Sequence, residues 1–459
     1  MEKIFKLKEN GTTIKTEIIA GLTTFLTMAY IIFLNPSVIG KSNPNLAHIP
    51  NTMEDTAVIT ATCIAAAIGT WLMGWLSNYP LALAPGLGLN AVFAYTLCLG
   101  FNLSPTAALT MVFLGGLFFI FLTVTGIRTA IVNSIPMSLK KAITAGIGLF
   151  IALIGFSNAG IIIGENQGAP THVDLASFSE PKVLLALFGL VITTVLVIQK
   201  VKAGLFVGML ITAVIGNICQ FCFGIEMGIK VPESWAPQID FSMFGKCFTG
   251  FGELFSAPIA SLLAVIITLV LVDMFDTIGT LIGAADKAGL LDENGNLPRI
   301  ENAMLADALA TSIGAIFGTS TVTTFVESTS GIAAGGRTGL TSTVTGICFA
   351  LSLFLTPATG FVPLAATSCV LIIVGIMMSS SLKDIDWADL EIAFPCFFTI
   401  VGMPFFWLIT DGLAFGFISY VLVKVARGEY REVNPLMYVI VGLFVTMYTL
   451  TGLQSMGIL

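Results

Sequence analysis

Between residues 18 and 452 the chain returns again and again to apolar runs of about twenty residues, most of them joined by short polar spacers. A run of that length crosses the roughly 30 Å hydrocarbon core of a bilayer when wound as an α-helix. Hydrophobic residues make up 56% of the chain and charged residues only 10%, where ordinary soluble domains carry about 25% charged. Residues 1–459 therefore read as one all-α polytopic membrane body with no soluble domain. The net charge of −7 says little about partners, because acids and bases are segregated by side of the membrane, and no nucleic-acid partner is expected.

The spans read as 18–40, 57–77, 82–99, 105–126, 141–163, 183–199, 203–223, 259–283, 303–318, 320–336, 338–357, 362–379, 391–409 and 412–426. That is fourteen, with a further stretch at 435–452 that either lies at the interface or crosses once more. Threaded from a cytoplasmic N-terminus, they put sixteen of the twenty Lys and Arg residues inside, Arg128 included, and leave Lys41, Lys182, Lys230 and Lys246 outside. One miscounted span would invert the later loops, so this asymmetry supports count and orientation together, in the cell (inner) membrane.

The eight cysteines carry no disulfide signal, and Cys219-x-x-Cys222 inside ITAVIGNICQFCFG lacks two further ligands for zinc. His48 and His172 fall in polar loops and suit neither a metal nor a proton relay. No cofactor is expected. The charged stretch MEKIFKLKENGTTIKTE is too long and polar for a cleaved signal, which predicts an uncleaved first anchor.

Two segments are poor lipid-facing helices. NYPLALAPGLGLNAVFAYT (78–96) has Pro80, Pro85, Gly86 and Gly88 in its first half, and GTSTVTTFVESTSGIAAGGRTG (318–339) centres on Glu327. Proline and glycine break the backbone ladder, and each freed N–H or C=O in lipid costs several kcal/mol unless protein or cavity water satisfies it. Both segments must be enclosed by protein. They hold third place in the first seven spans and third place in the second seven, each after an IG-containing helix, AAIGTWLMG and TSIGAIFG. An echo also links IPMSLKKAITAGIGLFI with VPLAATSCVLIIVGIMM. Seven is odd, so the halves are expected to be inverted across the membrane, the pattern of secondary transporters whose broken helices meet at a midplane substrate site.

The acids left within spans are Asp273, Asp276, Asp307 and Glu327, with Asn90 as a polar companion. A carboxylate at membrane depth costs at least about 2.5–3.5 kcal/mol, so it faces a cavity, pairs, or takes up a proton. In VDMFDTIGT, Asp273 and Asp276 are i, i+3 on one helix and share a face with Thr280. The blander reading ends the helix early and leaves both acids in interfacial water, but IGTLIGAA continues the apolar pattern for two more turns. Glu327 lies where the chain cannot face lipid; its blander reading is a carboxyl capping a helix end. Asn90 is either a site residue or a buried fastener between helices. Asp307, one turn from its helix end, reads as interfacial or structural. GLGLN lacks the strand and third glycine of a dinucleotide fingerprint, so Gly86 and Gly88 are read as allowing close backbone approach to a ligand.

VDMFDTIGTLIG, TSTVTTFVESTSGIAAGGRTGLTS and LALAPGLGLNAVFAY resemble the three signature segments of the AzgA-like purine permeases of the nucleobase:cation symporter-2 superfamily. GTTIKTEIIAGLTTFLTMAYIIFLNP is also similar to that branch, so the likeness covers nearly the whole chain. The resemblance implies fourteen spans in two inverted seven-span repeats, with the third and tenth spans each half strand and half helix. It implies a core domain (16–126 and 259–357, spans 1–4 and 8–11), a gate domain (141–223 and 362–426, spans 5–7 and 12–14), and a C-terminal apolar segment at 427–459. On the family's motifs, Asp273, Asp276 and Glu327 match carboxylates of substrate binding and proton coupling, and Asn90 a polar site residue. Uracil and xanthine permeases carry glutamate where this chain has Asp276, and some place histidine where it has Thr280, so a histidine-centred relay is not expected. Related permeases imply a homodimer.

The expected activity is import of purine bases, guanine or hypoxanthine first and adenine next, by proton symport with alternating access. A carboxylate accepts from two adjacent donors at once, and guanine offers such a pair on its N1 and N2 edge. Glu327 is expected to bind the base with Asn90, Gly86, Gly88, Thr280 and Thr329 around it, and Asp276 or Asp273 to handle the proton. Sodium coupling is the alternative, through acids and hydroxyls such as Ser328, Thr329 and Ser330. A channel fits broken, repeat-related helices less well. An intramembrane aspartyl protease needs carboxyls sharing a proton from facing helices, whereas Asp273 and Asp276 share one helix.

Overall fold

Apolar runs wind into helices because a helix satisfies its own backbone in hydrocarbon. The computed structural model describes residues 2–46, 48–126, 134–164, 173–176, 178–232, 234–254, 259–288 and 297–455, and it is mostly helical. Arg128 and His172 lie outside the described residues. In chain order the first elements are α1 (Ile14–Met28), α2 (Ile31–Ile39), α3 (Asp55–Leu76), β1 (Leu83–Pro85) and α4 (Leu87–Ala91, running on as a wider helix to Gly100). Then come α5 (Pro105–Val124), α6 (Met137–Asn158), the paired strands β2 (Ile162–Gly164) and β3 (Val173–Leu175), α7 (Pro181–Ile198) and α8 (Gly204–Phe223). The second half holds α9 (Ile259–Ala288), α10 (Ile300–Phe317), β4 (Val322–Thr324), α11 (Ser328–Ala333) and α12 (Gly339–Leu351). It ends with α13 (Leu364–Met378), α14 (Leu390–Phe406), α15 (Ile409–Ala426) and α16 (Pro435–Ser455). Among the described residues ten helical stretches are long and apolar enough to cross a membrane, so the chain is a multi-pass membrane protein.

The helices sort into two packed groups. A crossing bundle joins α3, α10 and α12 to α1, α5, α9 and α11; a flanking bundle joins α6, α13 and α14 to α7, α8 and α15. Helix α16, the stretch at 435–452, turns Met437, Ile440, Phe444 and Met447 inward and packs on α9 and α15, where the Tyr448 hydroxyl donates to Asp411 Oδ1 at 2.7 Å.

Inside the crossing bundle, the proline- and glycine-broken segment and the hydroxyl-rich segment meet. β1 and β4 pair antiparallel, Leu83 opposite Thr324, Ala84 opposite Thr323 and Pro85 opposite Val322. Pro85, which has no N–H, ends its strand; next to it Gly86 N donates to Thr321 O at 3.0 Å. Two strands alone leave their outer edges unpaired, and helix hydroxyls fill them. Thr70 of α3 accepts from Leu83 N at 2.9 Å and donates to Leu83 O at 3.0 Å. Thr311 of α10 donates to Val322 O at 3.0 Å, and Ser328 Oγ accepts from Ala82 N at 3.0 Å.

Glu17 belongs to this bundle although the sequence places it at the end of a charged leader. It is fully buried, and its carboxylate accepts from Arg337 N, from Thr338 Oγ1 and from Thr341 N and Oγ1, at 2.7–3.1 Å. One carboxylate thereby caps the start of α12 and ties it to α1, which begins at Ile14, four residues before the expected span.

Thr70→Val keeps the shape of the side chain but strands Leu83 N–H and C=O, each orphaned buried group costing roughly 1–3 kcal/mol. The purified variant is expected to unfold several degrees below the parent in detergent; an unchanged midpoint would refute the edge-filling role of Thr70.

Candidate functional site

The strand crossing delivers its next residues to a common point. After β4 the chain turns through Phe325 and Val326 and presents Glu327 at the head of α11; after β1 it turns through Gly86 and enters α4 at Leu87. Helix α9 runs past both and brings Asp276 and Thr280, one turn apart, to the same place. A cavity of about 440 Å³ opens there, within the range of roughly 300–1,000 Å³ usual for small-molecule sites. One wall comes from the crossing bundle: Tyr30, Gly86, Gly88, Asp276, Thr280 and Glu327. The facing wall comes from α6 and α13 and the turn after it, through Thr144, Val374, Met377, Ser381, Lys383 and Asp384.

Two of the cavity's three carboxylates, Glu327 and Asp276, are held differently. Tyr30, buried at the junction of α1 and α2, donates its hydroxyl to Glu327 Oε1 at 2.5 Å, and Thr27 Oγ1 reaches the Glu327 carbonyl at 3.4 Å. Tyr30 is the one side chain among the described residues that hydrogen-bonds the Glu327 carboxylate, and the half-buried Glu327 lines the cavity. Asp276 has no hydrogen-bond partner among the described residues, and it lines the same cavity wall as Glu327. The site therefore offers a fixed acceptor beside a freer acidic group.

The other expected residues fall elsewhere. Asp273 is buried and does not line the cavity. Asn90 is fully buried and does not line the cavity; its Oδ1 accepts from Ser320 Oγ, while its Nδ2 has no partner among the described residues. Thr329 also lies off the cavity wall, with its backbone N–H bonded to Val326 O. Gly86 and Gly88 line the cavity, and each is also a packing point. A Cβ on Gly86 would come within 2.5 Å of Thr323 Cγ2, and one on Gly88 within 2.8 Å of Ile147 Cγ2. Asp307 is not interfacial: it is fully buried and accepts from Thr277 Oγ1 at 2.9 Å and, more loosely, from Thr324 Oγ1 at 3.4 Å.

Sequence reasoning missed Tyr30 and the whole facing wall. A tyrosine in mid-run carries a signal, since a buried phenol seeks a partner. Thr144, Ser381 and Lys383 carry none, because helix ends are rich in such residues.

A family model described as a permease family matches residues 15–452. The chain is 43% identical over 452 residues to a guanine/hypoxanthine permease of Bacillus subtilis, covering 97% of this chain and 98% of that one. It is 39% identical over 445 residues to an adenine permease of Escherichia coli, covering 97% and 95%. Among solved structures, the transmembrane domain of a cyanobacterial bicarbonate transporter shares the fold, with a TM-score of 0.62 at 15% identity over 90% of this chain and 96% of that one.

With the exposed Cys222 replaced by serine, Thr144→Cys is expected to react with a small polar thiol reagent in membranes opened to both faces, and Asn90→Cys to stay at least ten-fold slower. Equal labelling would place Asn90 on the cavity wall.

Proposed function

Because the chain belongs to the permease family, we propose that it imports purine nucleobases as a secondary active transporter, by proton symport with alternating access. Membership makes it a transporter and not an enzyme, and the reading of its acids as a protease dyad falls with that. The observation that carries the substrate class is the pair Asp276 and Glu327 on one cavity wall, each with an oxygen free to accept. A purine is flat and neutral, and its N–H edge needs such acceptors. Guanine and hypoxanthine carry the N1–H that adenine lacks, which ranks them first; relatives named for either choice leave that ranking a proposal.

In this reading Glu327, oriented by Tyr30, grips the base and Asp276 exchanges the proton. Two neighbouring acids disfavour a double negative charge, so the proton and the base enter one account. The Leu87 and Gly88 N–H groups, at a helix start without a side-chain cap, suit ring acceptors. The fourteen-span, two-repeat frame belongs to the same proposal: β1 leading into α4 and β4 leading into α11 are its repeat-related pair. So does the division into core and gate, with the crossing bundle as core and the flanking bundle as gate. With the N-terminus cytoplasmic, Lys141 and Lys383 mark the cavity mouth as cytoplasmic and the molecule as inward-facing.

Uptake of labelled hypoxanthine into cells tests this. Glu327→Gln is expected to drop uptake to background at normal membrane expression, and normal uptake would remove Glu327 from the site. Tyr30→Phe is expected to raise the apparent KM roughly 5–10-fold, since a hydrogen bond to a charged group is worth about 1.5–3 kcal/mol and its loss here acts through position. Asp276→Asn is expected to abolish accumulation against a gradient and the response to external pH. Accumulation that follows sodium and ignores pH would reject the proton.

A further inference from the structure

A second cavity, of about 460 Å³, lies at the opposite end of the same seam between the two bundles. Its lining is polar enough to be wet: Ser37, Thr56, Thr356 and Thr367 supply hydroxyls, and Lys41 and Asp55 stand at its rim. The two cavities share two structural elements. On the α1–α2 segment Tyr30 lines the first and Phe33 the second, one helical turn apart; on α13 Val374 lines the first and Thr367 the second, two turns apart. Val370, three residues after Thr367 and four before Val374, is fully buried on the same face of α13. At 1.5 Å per residue the wall between the cavities is only about 5–10 Å thick. At this level Phe33 of α2, which packs on α3 of the crossing bundle, meets Phe206 of α8 in the flanking bundle, ring centroids 6.3 Å apart and 33° between planes.

We infer that the Phe33–Phe206 contact is the closed barrier of the transport path and that the second cavity is the path's other mouth. This rests on the transporter reading above. An apolar contact between two wet cavities blocks a polar solute by dewetting, and a pair with one ring on each bundle must separate when the bundles shift. The residue that seals the path thus stands one turn from the residue that orients Glu327. Opening at Phe33 and release at Tyr30 are mechanically linked through one short helix.

Cysteine accessibility tests the barrier without any cargo. In a Cys222→Ser background, Val374→Cys reports the first cavity and Thr367→Cys the second. From the face of the second cavity, a membrane-impermeant thiol reagent is expected to modify Thr367→Cys readily and Val374→Cys hardly at all. Adding Phe33→Ala is expected to speed modification of Val374→Cys from that face at least ten-fold. Phe206→Ala removes the same contact from the other side and is expected to do the same, which covers failure of the first variant to reach the membrane. If neither variant exposes Val374→Cys while Thr367→Cys stays reactive, the barrier lies elsewhere and the inference is overturned. A reducible bifunctional thiol linking Phe33→Cys to Phe206→Cys is expected to stop uptake until reduced; uptake by cross-linked protein also overturns it. A labelling shift without purine uptake would strike only the cargo.

Discussion

The fold hangs on satisfying two extended segments far from water. A strand in hydrocarbon exposes an N–H or C=O at every residue, and each bare group costs several kcal/mol. Here β1 and β4 pair with each other, and hydroxyls of Thr70, Thr311 and Ser328 take up their outer edges. Those hydroxyls come from α3, α10 and α11, so the crossing forms only when the surrounding helices are docked. The requirement runs both ways: the strands need the helices to be soluble in the bundle, and the helices need the strands to occupy their hydroxyls.

The crossing also explains where the acids go. Immediately after each strand the backbone must restart as a helix, and those restarts point Glu327 and the Gly86–Gly88 turn into one cavity. Thr324 stands between the two environments. It lines the cavity, and its hydroxyl also reaches Asp307 on the dry side, where Thr277 bonds both Asp307 and Thr323.

Much of the helical frame was legible because twenty apolar residues have few other destinations than a bilayer. The broken segments at 78–96 and 318–339 were legible as enclosed, since their prolines, glycines and hydroxyls forbid lipid. Their register was not, because it depends on which helix hydroxyls are near, and sequence does not contain that distance. Glu17 was not singled out for a related reason: a carboxylate close to lysines carries no sign in sequence that α12 starts beside it. Asn90 shows the limit in the other direction. Its residue type suits a ligand or a fastener equally, and the structure occupies its Oδ1 with Ser320 while its Nδ2 has no partner among the described residues. Tyr30 was passed over because the run around it, LTTFLTMAYIIFLNP, is apolar enough to explain itself. The facing wall was out of reach, since short-range patterns do not say which two bundles meet.

Four of the acids in this membrane body divide by their satisfaction, and that division is the strongest argument for a working site. Glu17 and Asp307 are fully buried and bonded to hydroxyls or backbone N–H groups, which fixes them and removes any reason to bind or release anything. Glu327 and Asp276 lie within the same protein but keep free oxygens toward a cavity, although partners such as threonine hydroxyls are abundant nearby. A chain that supplies hydroxyls to the outer edges of β1 and β4 had the means to quiet these two as well. Leaving them open in a low-dielectric pocket has an energetic cost, which cavity water or an entering solute with donors on its edge offsets.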